Sequence, residues 1–277
     1  MSYYTSLSGL ENAHTDLSVI GNNIANAQTT GFKKSDAQFA NLVAASAYSN
    51  PKEIVGIGST VSSITQNFSQ GAIQQTGSAL DLAVSGDGFF AVKSPITSQI
   101  AFTRNGNFSL DSTAAVATGN SYIVDANGNR MQILPTSAAG AVTSTTPTDA
   151  VVPAANAAGA LFSGITVAAN GRVNASYADG TSSVVGTVAL ASFASPTGLQ
   201  QIGSADYHAT GLSGTASYGQ PNTSQYGGLL SGALEASNVD LSSEMVNLIT
   251  AQQYFQANAK AIDANTAINQ AVINLHS

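Results

Sequence analysis

The feature that most constrains this chain is the apolar stripe of its last segment. Leu241, Met245, Leu248, Gln252, Phe255, Ala259, Ile262, Thr266, Asn269 and Ile273 recur at alternating intervals of four and three residues. That is the 3.5-residue period of a helix burying one stripe against another helix. Asp240 or Ser242 is placed to cap its N-terminus, and Glu244 puts an anion in the first turn, where the helix dipole favours one. At about 1.5 Å per residue, a helix over 239–275 is roughly 55 Å long. Residues 3–27 carry a matching seam of Leu10, Ala13, Leu17, Ile20, Ile24 and Ala27. The first and last segments are therefore expected to pair as a coiled coil. Leu10, Leu17, Ile20 and Ile24 would face Leu241, Met245, Leu248, Phe255, Ile262 and Ile273.

Two details make this more than a hairpin closing a core. Gln252, Thr266 and Asn269 place polar groups on the seam. The opposite faces carry small, uncharged residues such as Ala257, Ala264 and Ala271. A helix of that kind suits close packing on several sides, as in an array of neighbours. Charge is sparse throughout: 8% of residues are Asp, Glu, Lys or Arg, against about 25% in ordinary globular proteins. With a net charge of −7, the chain lacks the positive surface that nucleic acid requires. It has no cysteine, which excludes a disulfide framework and thiolate metal sites. The N-terminus has neither the basic region nor the apolar core of a cleaved secretory signal. No run approaches the roughly 18 apolar residues of a membrane helix. The chain is expected to be cytoplasmic, or exported without cleavage.

Between the terminal helices the pattern becomes that of strands and turns. Residues 32–50 read as a short helix or an extended arm. Alternation of period two begins near Thr60, and Phe89-Phe90-Ala91-Val92 reads as a buried strand. Asn105-Gly106 has hairpin chemistry between Phe102-Thr103-Arg104 and Phe108-Ser109-Leu110. Asp125-Ala126-Asn127-Gly128 separates two further strands, Asn170-Gly171 closes another hairpin, and Val184 to Phe193 reads as one long strand. Residues 135–160 turn to Ala, Thr, Ser and Pro with almost no charge, and read as a loop or linker. The strands on either side, Met131-Gln132-Ile133-Leu134 and Ile165-Thr166-Val167, are expected to lie close together. The fold class is mainly β: an antiparallel β domain flanked by paired terminal helices. The expected divisions are an N-terminal helix over 1–29, a connecting arm over 30–75, a β-rich domain over 76–232 and a C-terminal helix over 233–277.

The motifs that carry chemistry elsewhere fail here. Gly86, Gly88 and Ala91 fit a loose dinucleotide fingerprint, but strand residues follow where a helix must begin. Asp125, Asn127 and Asn129 have calcium-loop spacing, yet Arg130 replaces the required glycine and Thr136 the bidentate glutamate. His14, His208 and His276 lie far apart, and no hydrolase or zinc-protease motif occurs. No catalytic residue, metal site or cofactor is expected. A glycan-binding β protein remains an alternative, with Tyr177, Tyr207, Tyr218 and Tyr226 available to line a groove.

Several blocks resemble one family. Ser8-Gly9-Leu10, the run from Asp16 to Ala27 containing Asn22, Asn23 and Asn26, and Thr30-Gly31-Phe32-Lys33 resemble the N-terminal signature of bacterial flagellar rod and hook subunits. The likeness continues through Phe68-Ser69-Gln70-Gly71, Gly86-Asp87-Gly88-Phe89-Phe90 and Thr103-Arg104-Asn105-Gly106. It closes with the run from Ser231 to Leu241, including Asn238, and with Gln256-Ala257-Asn258-Ala259-Lys260. Within the family, 235–241 and 256–260 most resemble hook subunits, and distal rod subunits come next. Residues 135–160 are too few for the outer domain that hook subunits insert.

The resemblance implies a structural subunit, not an enzyme. It would polymerise helically into a hollow flagellar tube with its helices lining the channel, a hook that bends or a rod that does not. It implies export through the flagellar type III apparatus without a cleaved signal, and an extracellular place in the hook or basal body. The implied partners are copies of itself, rod subunits, the hook cap and the hook–filament junction proteins, without nucleic acid or membrane insertion.

Overall fold

The computed structural model describes residues 3–43, 56–111, 119–137, 141–223 and 225–276. The chain divides into two units. One comprises residues 1–27, 34–67 and 239–277, and the other 28–33 and 68–238.

The first unit contains two helices, α1 (Tyr3–Ala25) and α2 (Leu241–His276), and an antiparallel ribbon of Ser35–Val43 with Gly56–Gln66. The extended reading of the arm therefore holds over Ser35–Val43. The rest of 32–50 beyond Val43 lies outside the described residues. Asn26 stops α1: its backbone N–H is shared between the carbonyls of Asn22 and Asn23, and its side chain donates to Asn22 O at 2.9 Å. Such bonds satisfy carbonyls that a helix end leaves unpaired. Of the two candidate caps for α2, Asp240 serves. Its Oδ1 accepts from the N–H groups of Ser242 at 2.8 Å and Ser243 at 3.2 Å.

The second unit is antiparallel β. Its main sheet runs Phe162–Val167, Arg172–Tyr177, Ser182–Val188, Arg130–Leu134, Phe89–Lys93, Ile100–Thr103, Asp206–His208 and Gln200–Gly203, each bonded to the next. Strand Phe89–Lys93 shows why its sequence is apolar on both sides. Phe90 and Val92 enter one core with Leu82, Val84, Ile123, Met131 and Leu190. Phe89 and Ala91 enter a second with Phe102, Phe193 and Tyr207. A strand covered on both faces has no polar alternation to display. The second core is held by edge-to-face rings, with Phe102 and Phe193 at 4.8 Å and Phe89 and Phe193 at 5.9 Å between centroids.

Four local expectations change. Ile100–Thr103 and Ser109–Asp111 do not pair across Asn105-Gly106. The first joins Phe89–Lys93 and Asp206–His208, and the second joins Asn120–Val124. Gly106 is needed instead for close approach, since a Cβ there would lie 1.6 Å from Leu82 O. The long strand from Val184 breaks at Ala189: Ser182–Val188 pairs with Arg130–Leu134, and Leu190–Ser192 pairs with Phe89–Lys93. Within 135–160, Thr148–Asp149 and Val151–Pro153 are strands, and Ala150 and Val152 are buried. A run of small residues reads as linker but also fills a tight core. Finally, Phe162–Val167 lies two strands away from Arg130–Leu134, because Arg172–Tyr177 and Ser182–Val188 intervene.

The remaining hairpin turns hold as expected. Asp125 Oδ1 accepts from the N–H groups of Asn127 and Asn129, both at 2.8 Å. The calcium-like spacing therefore closes a turn. Gly171 N–H bonds Ala168 O at 2.8 Å behind Asn170. Tyr177 and Tyr207 are buried and the rings of Tyr218 and Tyr226 are partly covered, so these four tyrosines form no exposed groove.

Asp206 is 5% exposed and accepts from Asn127 Nδ2 at 3.2 Å. Burial, and behind it the Asp125 carboxylate, pushes its carboxyl up to about 6 from an ordinary 3.8. The folded state therefore holds a proton that the unfolded state has released between these values. Stability from this group is complete below the lower value and is lost as pH rises through about 6. Asp206→Asn should raise the melting temperature by a few degrees at pH 8 and leave it unchanged near pH 3.5, as read by thermal circular dichroism.

Candidate assembly surface

The helices of the first unit run antiparallel. Asn23 Nδ2 on α1 donates to Glu244 Oε2 on α2 at 3.4 Å, and a Cβ on Gly9 would stand 2.7 Å from Asn258 Oδ1. These two contacts set the register. With 23 residues in α1 and 36 in α2, the pairing runs out near Asn265, and the last turns of α2 extend beyond it.

On α1, Ala13 and Ile20 are buried, and Leu10, Leu17 and Ile24 are half-buried. On α2 the stripe turned inward is Glu244, Leu248, Ala251, Phe255, Asn258, Ile262 and Asn265. It keeps the four-three spacing but is rotated by one position in each heptad. Leu248, Phe255 and Ile262 belong to both stripes. Leu241, Met245 and Ile273 do not: they are 48%, 51% and 61% exposed. Asn258 fits beside Gly9, and Glu244 is drawn in by its bond to Asn23, so these positions turn inward. Val246, Ile249, Tyr254 and Ile268 are exposed as well. So much exposed apolar surface on one helix marks a surface that other protein covers.

The signature asparagines have separate tasks. Asn23 is 1% exposed and clasps the arm in both directions. Its Nδ2 donates to Ser35 O, and its Oδ1 accepts from Ser35 N–H, each at 2.9 Å. Asn26 caps α1, and Asn22 stands exposed. His14 is also exposed. His208 sits in the β unit with Nδ1 3.1 Å from Ile100 O. The side chain of His276 lies outside those described.

The other signature residues gather in the β unit around a buried ion cluster that the sequence reading did not single out. Lys33 Nζ lies 2.6 Å from Glu235 Oε1, and both side chains are fully buried. Arg104 Nη1 lies 3.3 Å from Glu235 Oε2. Further bonds are local: Lys33 Nζ donates to Ser69 O at 2.8 Å, Arg104 Nη2 to Gly86 O at 2.9 Å, and Gly71 N–H to Glu235 Oε1 at 2.8 Å, while Arg104 Nε is buried without an acceptor among the described residues. The Arg104 guanidinium also stacks over Phe89 at 5.2 Å. Burial pulls both cations below their ordinary pKa values, and Glu235 opposes that pull.

The signature glycines and phenylalanines serve the same centre. Gly31, at φ +69°, donates its N–H to Glu235 O at 2.8 Å, and a Cβ there would meet the Asn105 nitrogen at 2.5 Å. Gly86 and Gly88 hold φ of 108° and 129° in the turn that leads to Phe89 and Phe90, both buried, and Phe32, next to Lys33 in sequence, is buried too. Asn238 Nδ2 donates to Ser69 O and Oγ, both at 3.1 Å. Lys33, Arg104 and Glu235 had one legible sign. Each is a charge inside a signature block of a chain that has few charges.

Comparison with known proteins covers the chain in three segments. Residues 4–33 match the family described as flagella basal body rod protein, residues 83–175 the flagellar hook protein FlgE/F/G D1 domain, and residues 230–275 the flagellar basal body rod FlgEFG protein C-terminal. Each segment contributes one member of the ion cluster. The chain is 38% identical to the flagellar basal-body rod protein FlgG of Bacillus subtilis over 287 positions, covering 99% of this chain and 98% of that one. It is 32% identical to FlgG of Caulobacter vibrioides over 287 positions, with the same two coverages. It is 28% identical to the flagellar hook protein FlgE of Escherichia coli over 409 positions, covering 99% of this chain and all of that one.

Removing Glu235 would strand two buried cations, a change that costs about 3–5 kcal/mol. Glu235→Ala should therefore unfold the β unit at markedly lower denaturant. Lys34→Gln, which breaks the exposed pair to Asp36 at 3.3 Å, should cost less than about 1 kcal/mol. Guanidinium titration followed by circular dichroism distinguishes the two.

Proposed function

We propose that this chain, which belongs to the bacterial flagellar rod and hook axial protein family, is the subunit of the distal rod. It is an axial structural protein of the flagellum and not an enzyme. The observation that carries the rod reading is collinearity. The Bacillus subtilis rod protein aligns with this chain end to end over 287 positions. The Escherichia coli hook protein needs 409, more than a hundred of which no residue of this chain can fill. The segment 135–160 holds short core strands where hook subunits carry their inserted domain. A second reading, the hook, rests on the likeness of 235–241 and 256–260 to hook subunits.

In either place the work is mechanical. Copies assemble helically into a hollow tube that transmits torque, stiff as a rod or flexible as a hook. The exposed apolar side chains of α2 supply surface for such assembly, and the weakly charged face imposes little repulsion between neighbours. The seam residues Leu248, Phe255 and Ile262 serve the helix pairing that assembly requires. Adjoining rod subunits, the hook cap and the junction proteins are the expected axial neighbours. Export follows the flagellar type III route without a cleaved signal.

Expression in a Bacillus subtilis strain lacking its own FlgG tests the placement. Restored swimming in soft agar supports the rod. Restoration only in Escherichia coli lacking FlgE would replace it with the hook. The seam is tested separately. Ile262→Asp puts an unpaired charge into a half-buried stripe, which is costly. Purified variant protein should keep the β signal in circular dichroism and form no tubes by negative-stain imaging, where the unaltered chain does.

A further inference from the structure

A cavity of about 280 Å³ opens within the helical unit between α1, α2 and the strand Ser35–Val43. Three carboxylates line it, those of Asp16, Asp36 and Glu244, together with Asn23 and Thr250, and among the described residues no Lys, Arg or His does. Glu244 is 3% exposed. Its Oε2 accepts from Asn23 at 3.4 Å, and among the described residues no donor reaches its Oε1. Asp16 registers the same imbalance: burial first, then Glu244 and Asp36, hold its carboxyl above the usual range. Among the described residues, Lys34 alone forms an ion pair with one of these three carboxylates, with Asp36 at 3.3 Å. The cavity is therefore short of positive charge and roomy enough for an ammonium group.

Positive charge is scarce in the chain, which has eight Lys and Arg in all. Among the described residues of the helical unit the cations are Lys34 and Lys260. Lys260 is exposed on α2 and has no carboxylate within ion-pair distance among the described residues. It lies sixteen residues beyond Glu244 on the same helix, which is about 24 Å along the axis. No lysine side chain spans that distance, so the Lys260 of a given copy cannot reach its own cavity.

We propose that the ammonium group of Lys260 from a second copy of this chain enters the cavity lined by Asp16, Asp36 and Glu244. The donor and the receptor are different patches of one molecule. Such a heterologous contact repeats without closing and builds a helical filament. The partly enclosed site shields the pair from salt better than an exposed one. This contact rests on the axial-subunit reading and supplies one of the polar contacts that set the stagger between neighbours.

The test uses the full chain. Equal amounts of unlabelled and nitrogen-15-labelled protein are co-assembled, treated with a zero-length carbodiimide and digested for mass spectrometry. Peptides joining Lys260 to Asp16, Asp36 or Glu244 should appear, with half of them of mixed label. Lys260→Glu should raise the concentration needed for assembly about tenfold or more, the effect of losing a well-placed charge pair. The double reversal Lys260→Glu with Asp16→Lys should recover most of that loss. If the unaltered chain assembles but Lys260 links elsewhere, or Lys260→Glu assembles at the normal concentration, the contact is refuted and the axial reading stands. If the unaltered chain does not assemble, the axial reading falls and the contact falls with it.

Discussion

A single buried carboxylate, that of Glu235, is the point on which the β unit depends. It pairs with both Lys33, from the segment 28–33 that joins this unit, and Arg104, from the loop after Ile100–Thr103. Three stretches far apart in sequence are thereby fixed to one atom pair. A salt bridge taken wholly out of water is a poor source of net stability, because desolvation consumes most of the Coulombic gain. What the cluster does do is tie separate stretches together, since Lys33, Gly71 and Arg104 all bond the one carboxylate. Gly31, Gly71, Gly86 and Ser69 contribute backbone groups to the same network. Gly31, Gly71 and Gly86 lie where a Cβ would crowd the backbone of Asn105, Ala236 and Gly227, so their glycines permit the close backbone approach that surrounds the cluster.

Around that centre the β unit is organised by strands that serve two cores. Phe89–Lys93 and Leu190–Ser192 send alternate residues into an aliphatic cluster and an aromatic one. Neither strand can slip by one residue without exchanging its contents between cores of different shape. The break at Ala189 lets the chain change partners while staying buried on both faces. Such a unit needs little surface charge to define its register, which accords with the sparse charge of the chain.

The helical unit has a different economy. Its seam mixes small and polar groups, Ala13, Asn23, Ala251 and Asn258, with Ile20, Leu248, Phe255 and Ile262. Close approach is secured, and Leu241, Met245, Ile249 and Ile273 are left outward. A monomeric protein would bury these side chains. An axial subunit keeps them for its neighbours, and the proposed charge pair from Lys260 adds direction to that otherwise non-directional contact.

Much of this was legible in the sequence. Period indicated that both termini are helices and that the middle is strands, and turn-residue chemistry placed the turns at Asn170-Gly171 and Asp125-Ala126-Asn127-Gly128. The resemblance blocks identified the family. The sequence did not determine which residues of the α2 stripe face inward. Two stripes with the same four-three spacing coexist on one helix, and only the close approach at Gly9 selects between them. It did not show that Ala150 and Val152 are core, since small residues pattern alike in a linker and in a tight interior. Nor did it bring Lys33, Arg104 and Glu235 together. Their attraction is a matter of distance in space, and no local periodicity records a contact between residues 33, 104 and 235. Propensity and pattern act over a few residues and are readable in line. Burial, register and charge pairing belong to the folded chain as a whole, and the tertiary structure alone decided them.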